Sequence, residues 1–208
     1  MTADEIAATA PRLTRKGQAT RDRIVTAASE LMFLRGVAGT STDDVQAAAG
    51  VSTSQVYHYF RDKRTLVRAV IAHQTDAVLD AQQPLLGRLD SLDALRAWRD
   101  FLVDMQRQRD CLGGCPIGSI GSELAESDPD ARADVAVGFG RWESAIRQGL
   151  QAMHDRGELR ADADPEQLAL GTLAALQGGL LLTQIRRDTV ALEAALDSMI
   201  DHIEALTS

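Results

Sequence analysis

Between Ser52 and Lys63 the chain concentrates side chains that give and take hydrogen bonds: Ser52, Thr53, Ser54, Gln55, Tyr57, His58, Tyr59 and Lys63. Both tyrosines of the 208-residue chain and one of its two lysines fall in this stretch. Hydroxyl groups bond phosphate oxygens, a lysine ammonium adds a point charge, and a glutamine amide can pair with an adenine edge in the major groove. This is binding chemistry rather than bond-breaking chemistry. HExxH, nucleophile-elbow and Walker patterns are absent, and Gly138-Phe139-Gly140 is too short for a dinucleotide fingerprint. No catalytic residue, metal or cofactor is therefore expected, which argues against a helical enzyme. His58 has no second histidine at ligand spacing and reads as a surface or phosphate-side residue.

For these side chains to share one surface, short helices must hold them. Thr42 reads as the N-cap of the first, Asp43 and Asp44 suit its positive end, and Gly50 stops it. Ser52 caps the second, and Gln55 three residues on makes a capping-box sequence. Gln55 thus has two readings, a base contact or a fold-back onto its own helix start. Val45, Ala49, Val51 and Val56 give the two helices apolar inner faces across Gly50-Val51. That is helix-turn-helix geometry, with the second helix in the major groove. A plain helical hairpin carries the same pattern.

Around this pair the periodicity is helical almost throughout, Ala and Leu dominate, and the expected fold is all-α. A first helix spans about 20–35, with Ile24, Ala28, Leu31 and Met32 on one face and Gly36 as its stop. Asp62 opens a fourth over 62–83. Others follow at 91–109, 118–126, 129–156, 165–187 and 189–206, punctuated by Pro84, Pro116, Pro129 and Pro165. The expected division is a mobile arm over 1–19, a helix-turn-helix domain over 20–66 and a helical body over 67–208.

The net charge of −8 hides an asymmetry. Residues 11–64 carry nine Lys/Arg against five Asp/Glu, whereas residues 65–208 carry 13 against 23. A basic module that meets phosphates is attached to an acidic body that avoids them. No apolar run approaches the roughly 20 residues that span a bilayer. The first ten residues lack a secretory pattern, so a cytoplasmic protein without a membrane partner is expected.

The run Thr42-Asp43-Asp44-Val45 through Ala49-Gly50-Val51-Ser52, then Tyr57-His58-Tyr59-Phe60-Arg61-Asp62-Lys63 and Leu66, resembles the TetR family of bacterial regulators. With the preceding helix the likeness covers residues 20–72. It implies a recognition helix over Thr53–Tyr59, with Thr53, Ser54 and Gln55 facing bases. Thr42, Tyr57, Tyr59 and Lys63 match phosphate-holding positions, and Phe60 and Leu66 match core. The resemblance further implies a homodimer whose C-terminal body binds a ligand. Most members repress by occupying promoter DNA until a ligand releases them. The expectation is thus a repressor on a palindromic operator, released by a small hydrophobic or aromatic effector.

In the body, Leu192, Leu196, Met199, Ile203 and Leu206 step by four and three, an apolar seam suited to a partner helix. The helix before it is apolar nearly all round, and Gly178 and Gly179 would let another helix approach closely. Leu173, Gly178, Leu181, Leu192, Leu196, Met199 and Ile203 are the dimerisation candidates; an intrachain core is the alternative. Trp98, Phe101 and Met105 share one helical face, as do Phe139, Trp142 and Ile146. With Cys115 and Gln177 they are candidates for lining a ligand cavity, against the plainer reading of core. Cys111-Leu112-Gly113-Gly114-Cys115-Pro116-Ile117-Gly118-Ser119 resembles a Cys-Pro-x-Gly segment of the LmrA/YxaF-like branch of the family, and Ser122-Glu123-Leu124 continues that likeness. It reads as a turn and helix start near the cavity. A redox switch through the two cysteines is the rival signal.

Overall fold

Short polar side chains start the helices by taking N–H groups that have no partner in the first turn. In the computed structural model, which describes residues 13–207, Thr14 accepts from the Gly17 amide at 3.1 Å and opens α1 (Arg15–Arg35). The helix therefore begins five residues before the Thr20 expected, and residues 15–19 of the anticipated arm are helical; residues 1–12 lie outside the described part. Ser41, not Thr42, caps α2 (Thr42–Ala49). Its hydroxyl accepts from Asp44 N at 3.1 Å while the Asp44 carboxylate accepts from Ser41 N at 2.9 Å, a reciprocal box that shifts the cap one residue upstream. Gly50 then turns the chain with φ +62°, a left-handed conformation that favours glycine.

Ser52 caps α3 (Thr53–Tyr59), and Asp62 caps α4 (Lys63–Asp80) by accepting from Thr65 N at 2.8 Å. The body continues with α5 (Leu92–Gln108), α6 (Pro116–Leu124), α7 (Pro129–Asp155), α8 (Pro165–Arg186) and α9 (Val190–Glu204). Among the described residues there is no named strand, and the fold is all-α. The α1 helix packs on α2 and α4 to make the N-terminal unit, and α4 continues into the body against α7. The border expected at residues 66/67 thus falls inside a helix that serves both parts.

Two expectations about the last helices need correction. The α8 helix is long and apolar enough, by length and composition, to cross a membrane, contrary to the expectation that no run approaches that size. In the fold it lies against α7 and α9. The seam Leu192, Leu196 and Ile203 is at most 1% exposed within a single chain, and Leu173 is also buried. These side chains are covered by their own protomer, chiefly through α8 on α9, and cannot form a seam with a partner. The close approach explains one of the paired glycines. A Cβ on Gly179 would stand 2.8 Å from Leu192 Cα, whereas one on Gly178 would meet nothing.

Candidate nucleic-acid interface and ligand cavities

The α3 helix has a single buried side chain, Val56, which closes the crease with Val45 and Val51. Its remaining side chains form the candidate reading surface. Thr53, Ser54, Gln55, Tyr57 and His58 are exposed, and Tyr57 is 54% exposed despite its aromatic ring. Tyr59 is half-buried, edge-on to His58. In the DNA-free chain Gln55 folds back: its Oε1 accepts from Ser52 N at 2.9 Å, completing the capping box. Ser52 and Ser54 hydroxyls lie 2.9 Å apart. Thr42 sits half-buried in the first turn of α2.

Lys63 does something the sequence did not suggest. Its Nζ donates to the Val37 carbonyl at 2.6 Å, so one ammonium proton ties the start of α4 to the turn after α1. Two protons remain for phosphate oxygens. The same turn is held from the body by Glu123, near the C-terminal end of α6: Oε2 accepts from Val37 N at 2.7 Å and Oε1 from Ala38 N at 2.5 Å. Two bidentate pairs add to the junction. Arg64 donates to Asp128 at 2.8 and 2.9 Å, and Arg68 to Asp134 at 2.6 and 3.0 Å, joining α4 to α7 and its N-cap. The Arg64 guanidinium, followed by the Ala131 N–H, holds the Asp128 carboxyl down at about 2. Ser41, Glu123, Arg64 and Arg68 were not singled out from the sequence. Only the branch likeness touched Glu123.

Two spaces in the body suit ligands. A cleft of about 690 Å³ lies between α6, α7 and α8, bounded by Cys115, Ser119, Ser122, Phe139, Gln177 and Leu181. A smaller, more enclosed space of about 110 Å³, the inner cavity, lies among α4, α5, α7 and α8, with Met105, Gln106 and Trp142 on its wall. Cys115 borders both. Of the expected lining residues, Cys115, Phe139 and Gln177 reach the cleft, and Met105, Cys115 and Trp142 reach the inner cavity. Trp98, Phe101 and Ile146 line neither and are corrected to core. Trp98 is 1% exposed with its indole N–H satisfied by Gln82 Oε1 at 2.9 Å, and Ile146 is wholly buried. Phe101 packs partly against the same core.

The cysteine stretch forms a turn and then α6. Gly113, at φ +85°, allows the turn to lie against Phe33 of α1, where any Cβ would collide with the ring. Cys115 is the N-cap of α6, and Pro116 takes the first helical position. Both thiols are free and buried, and burial pushes the Cys115 thiol up.

One apolar face stays open. Along α8, Leu170, Ala174, Gly178, Leu181 and Ile185 follow at spacings of four, four, three and four, all exposed, with Leu181 at 56% and Ile185 at 67%. Of the dimerisation candidates, only Gly178 and Leu181 lie on it. Met199 is half-buried against Gly171.

Comparison with known proteins agrees with this architecture. Residues 24–70 match the family model of bacterial regulatory proteins of the tetR family, and residues 91–199 match the tetracyclin repressor-like C-terminal domain. An uncharacterized HTH-type transcriptional regulator in the lacX 3' region of Lactococcus lactis subsp. lactis is 30% identical over 183 residues, covering 86% of this chain and 90% of that protein. The uncharacterized HTH-type regulator YxaF of Bacillus subtilis is 22% identical over 176 residues, with 83% and 88% covered, which gives the branch likeness loose support. The crystal structure of a TetR transcriptional regulator from Chloroflexus aurantiacus superposes with a TM-score of 0.81 at 28% identity, over 93% of this chain and 98% of that one. The chain belongs to the TetR family of DNA-binding transcriptional regulators and is not an enzyme.

Proposed function

We propose that this chain is a cytoplasmic homodimeric repressor that leaves a palindromic operator when a small hydrophobic or aromatic molecule enters the space between α6, α7 and α8. The observation that carries the reading is the Glu123 clasp. The helix that walls the cleft also holds the backbone of the turn leading into the helix-turn-helix pair. A ligand that displaces α6 therefore moves the reading unit, and α4 carries the movement through Lys63 and the Arg64 and Arg68 pairs. A changed separation of two recognition helices spoils their fit to half-sites about 34–36 Å apart. Ligand must bind the DNA-free arrangement better than the bound one, and a coupling of about 1–3 kcal/mol suffices.

A second copy is supported by the open stripe on α8. Its apolar side chains are turned to water in the single chain and would be covered by the same stripe of a twofold partner. The DNA-facing set is Thr42, Ser52, Thr53, Ser54, Gln55, Tyr57, His58, Tyr59 and Lys63. Titration of the promoter nearest its own reading frame, with and without aromatic compounds, tests the whole. Binding to an inverted repeat that a compound reverses is expected. Compounds that bind tightly but leave operator affinity unchanged overturn the coupling.

A further inference from the structure

We propose that the inner cavity is the anchoring part of the effector site and that it selects an uncharged hydroxyl group on an apolar molecule. The inference rests on the reading of this region as the effector site and adds the chemistry it selects. Two side chains on the cavity wall, each about 2% exposed, hold polar atoms without a hydrogen-bond partner among the described residues: the Trp142 indole N–H and the Gln106 carbonyl oxygen. The other buried amides on the same wall are engaged. Gln74 donates to the Ser29 hydroxyl at 2.6 Å, and Gln82 donates to Val78 O while accepting from Trp98. Two tryptophans of one fold thus differ in one respect: the Trp98 N–H is satisfied from within, and that of Trp142, a residue of the cavity wall, is not.

A buried donor and a buried acceptor left unpaired are costly, so their retention points to something that pairs with them. The complement of one N–H donor and one carbonyl acceptor is a group that accepts and donates, and a hydroxyl is the smallest. Its oxygen takes the Trp142 N–H and its proton goes to Gln106 Oε1. A carboxylate accepts only, and would set its charge against the Gln106 oxygen. Among the described residues that line the cavity, Arg109, which is exposed, is the cation that could favour an acid. The space of about 110 Å³ is smaller than the roughly 150 Å³ that holds benzene in an apolar cavity. The inner cavity therefore takes the hydroxyl end of a ligand, and a larger apolar body extends past Cys115 into the cleft.

Phenol, toluene and benzoate separate the possibilities by calorimetry on the full DNA-free chain. In a purely apolar space toluene wins, because the phenol hydroxyl must give up water. The proposal expects phenol to bind at least tenfold tighter than toluene, with benzoate weaker than phenol. Replacing both anchors, Gln106→Leu with Trp142→Phe, removes the donor and the acceptor and should reverse the order, toluene then binding more tightly. Equal affinities, a toluene or benzoate preference in the parent chain, or binding of none of the three with water alone filling the cavity would each overturn it. The comparison of ligands on the parent chain needs no variant to fold. Operator titration with the same compounds reads the function separately: a phenol preference without operator release leaves the anchor standing and removes the effector reading. Operator release by apolar compounds with no hydroxyl preference does the reverse.

Discussion

Glu123 and Val37 stand 86 residues apart in sequence and 2.7 Å apart in the fold, the Glu123 carboxylate accepting the Val37 amide proton. The same side chain takes the Ala38 amide, so one carboxylate spans the cleft wall and the turn before the reading helices. Glu123→Ala should leave ligand affinity within about twofold while raising at least fivefold the ligand concentration that releases operator, since the clasp is worth roughly the net energy of charge-assisted hydrogen bonds. Glu123→Gln keeps one carbonyl acceptor and should fall between. Parallel calorimetry and gel shifts check this, and an unchanged release curve for Glu123→Ala would remove the clasp from the signal path.

Tyr57→Ala removes an exposed ring with no part in the crease, so thermal stability should hold while operator affinity falls across all sequences. Lys63→Ala should flatten the salt dependence by about one unit of slope. Because Lys63 also binds the Val37 carbonyl, it should in addition lower the melting temperature, which Tyr57→Ala should not. Gel shifts over a salt series, with melting curves, separate the two.

Leu181→Asp with Ile185→Asp should give a soluble, folded monomer with operator affinity reduced at least tenfold, because both side chains are open in the single chain. Leu196→Asp tests something else. It buries a carboxylate in the intrachain α8–α9 contact and should unfold the body. Light scattering and circular dichroism distinguish these outcomes; a stable dimer of the Leu181/Ile185 variant would move the interface elsewhere.

Oxidation should not be the main signal. Burial pushes the Cys115 thiol up, away from the thiolate that oxidants attack. Cys111→Ser with Cys115→Ser should keep operator affinity within about threefold of the parent. Release of the parent, but not the variant, by peroxide would favour the redox rival.

The Asp128 carboxyl is held at about 2, against 3.8 for an ordinary aspartate. Its charged form is the one that native contacts favour, so its contribution is complete above about pH 4 and is lost as pH falls toward 2. Asn still caps a helix, so Asp128→Asn removes the charge and little of the cap. The melting-temperature difference between parent and variant should be flat from pH 5 to 8 and shrink below pH 4. A difference that grew on acidification would contradict the Arg64 assignment.

What the sequence determined by itself is local. The Ser52–Gln55 box, the apolar crease of Val45, Val51 and Val56, and the order of the helices all depend on partners three to eleven residues away, and such spacings are visible in one line of text. What tertiary structure decided is which neighbour each surface meets. The period of Leu192, Leu196 and Ile203 marks an apolar face correctly, but periodicity is the same whether the covering helix belongs to this chain or to a second copy; here α8 covers it. Gly178 and Gly179 are identical letters, yet one faces open space and the other lies against Leu192. Trp98 and Trp142 are likewise one residue type, yet Gln82 satisfies the indole N–H of the first, while that of the second has no partner among the described residues. Long-range contacts depend on how whole helices pack, and a side chain's own neighbours in sequence carry no record of that.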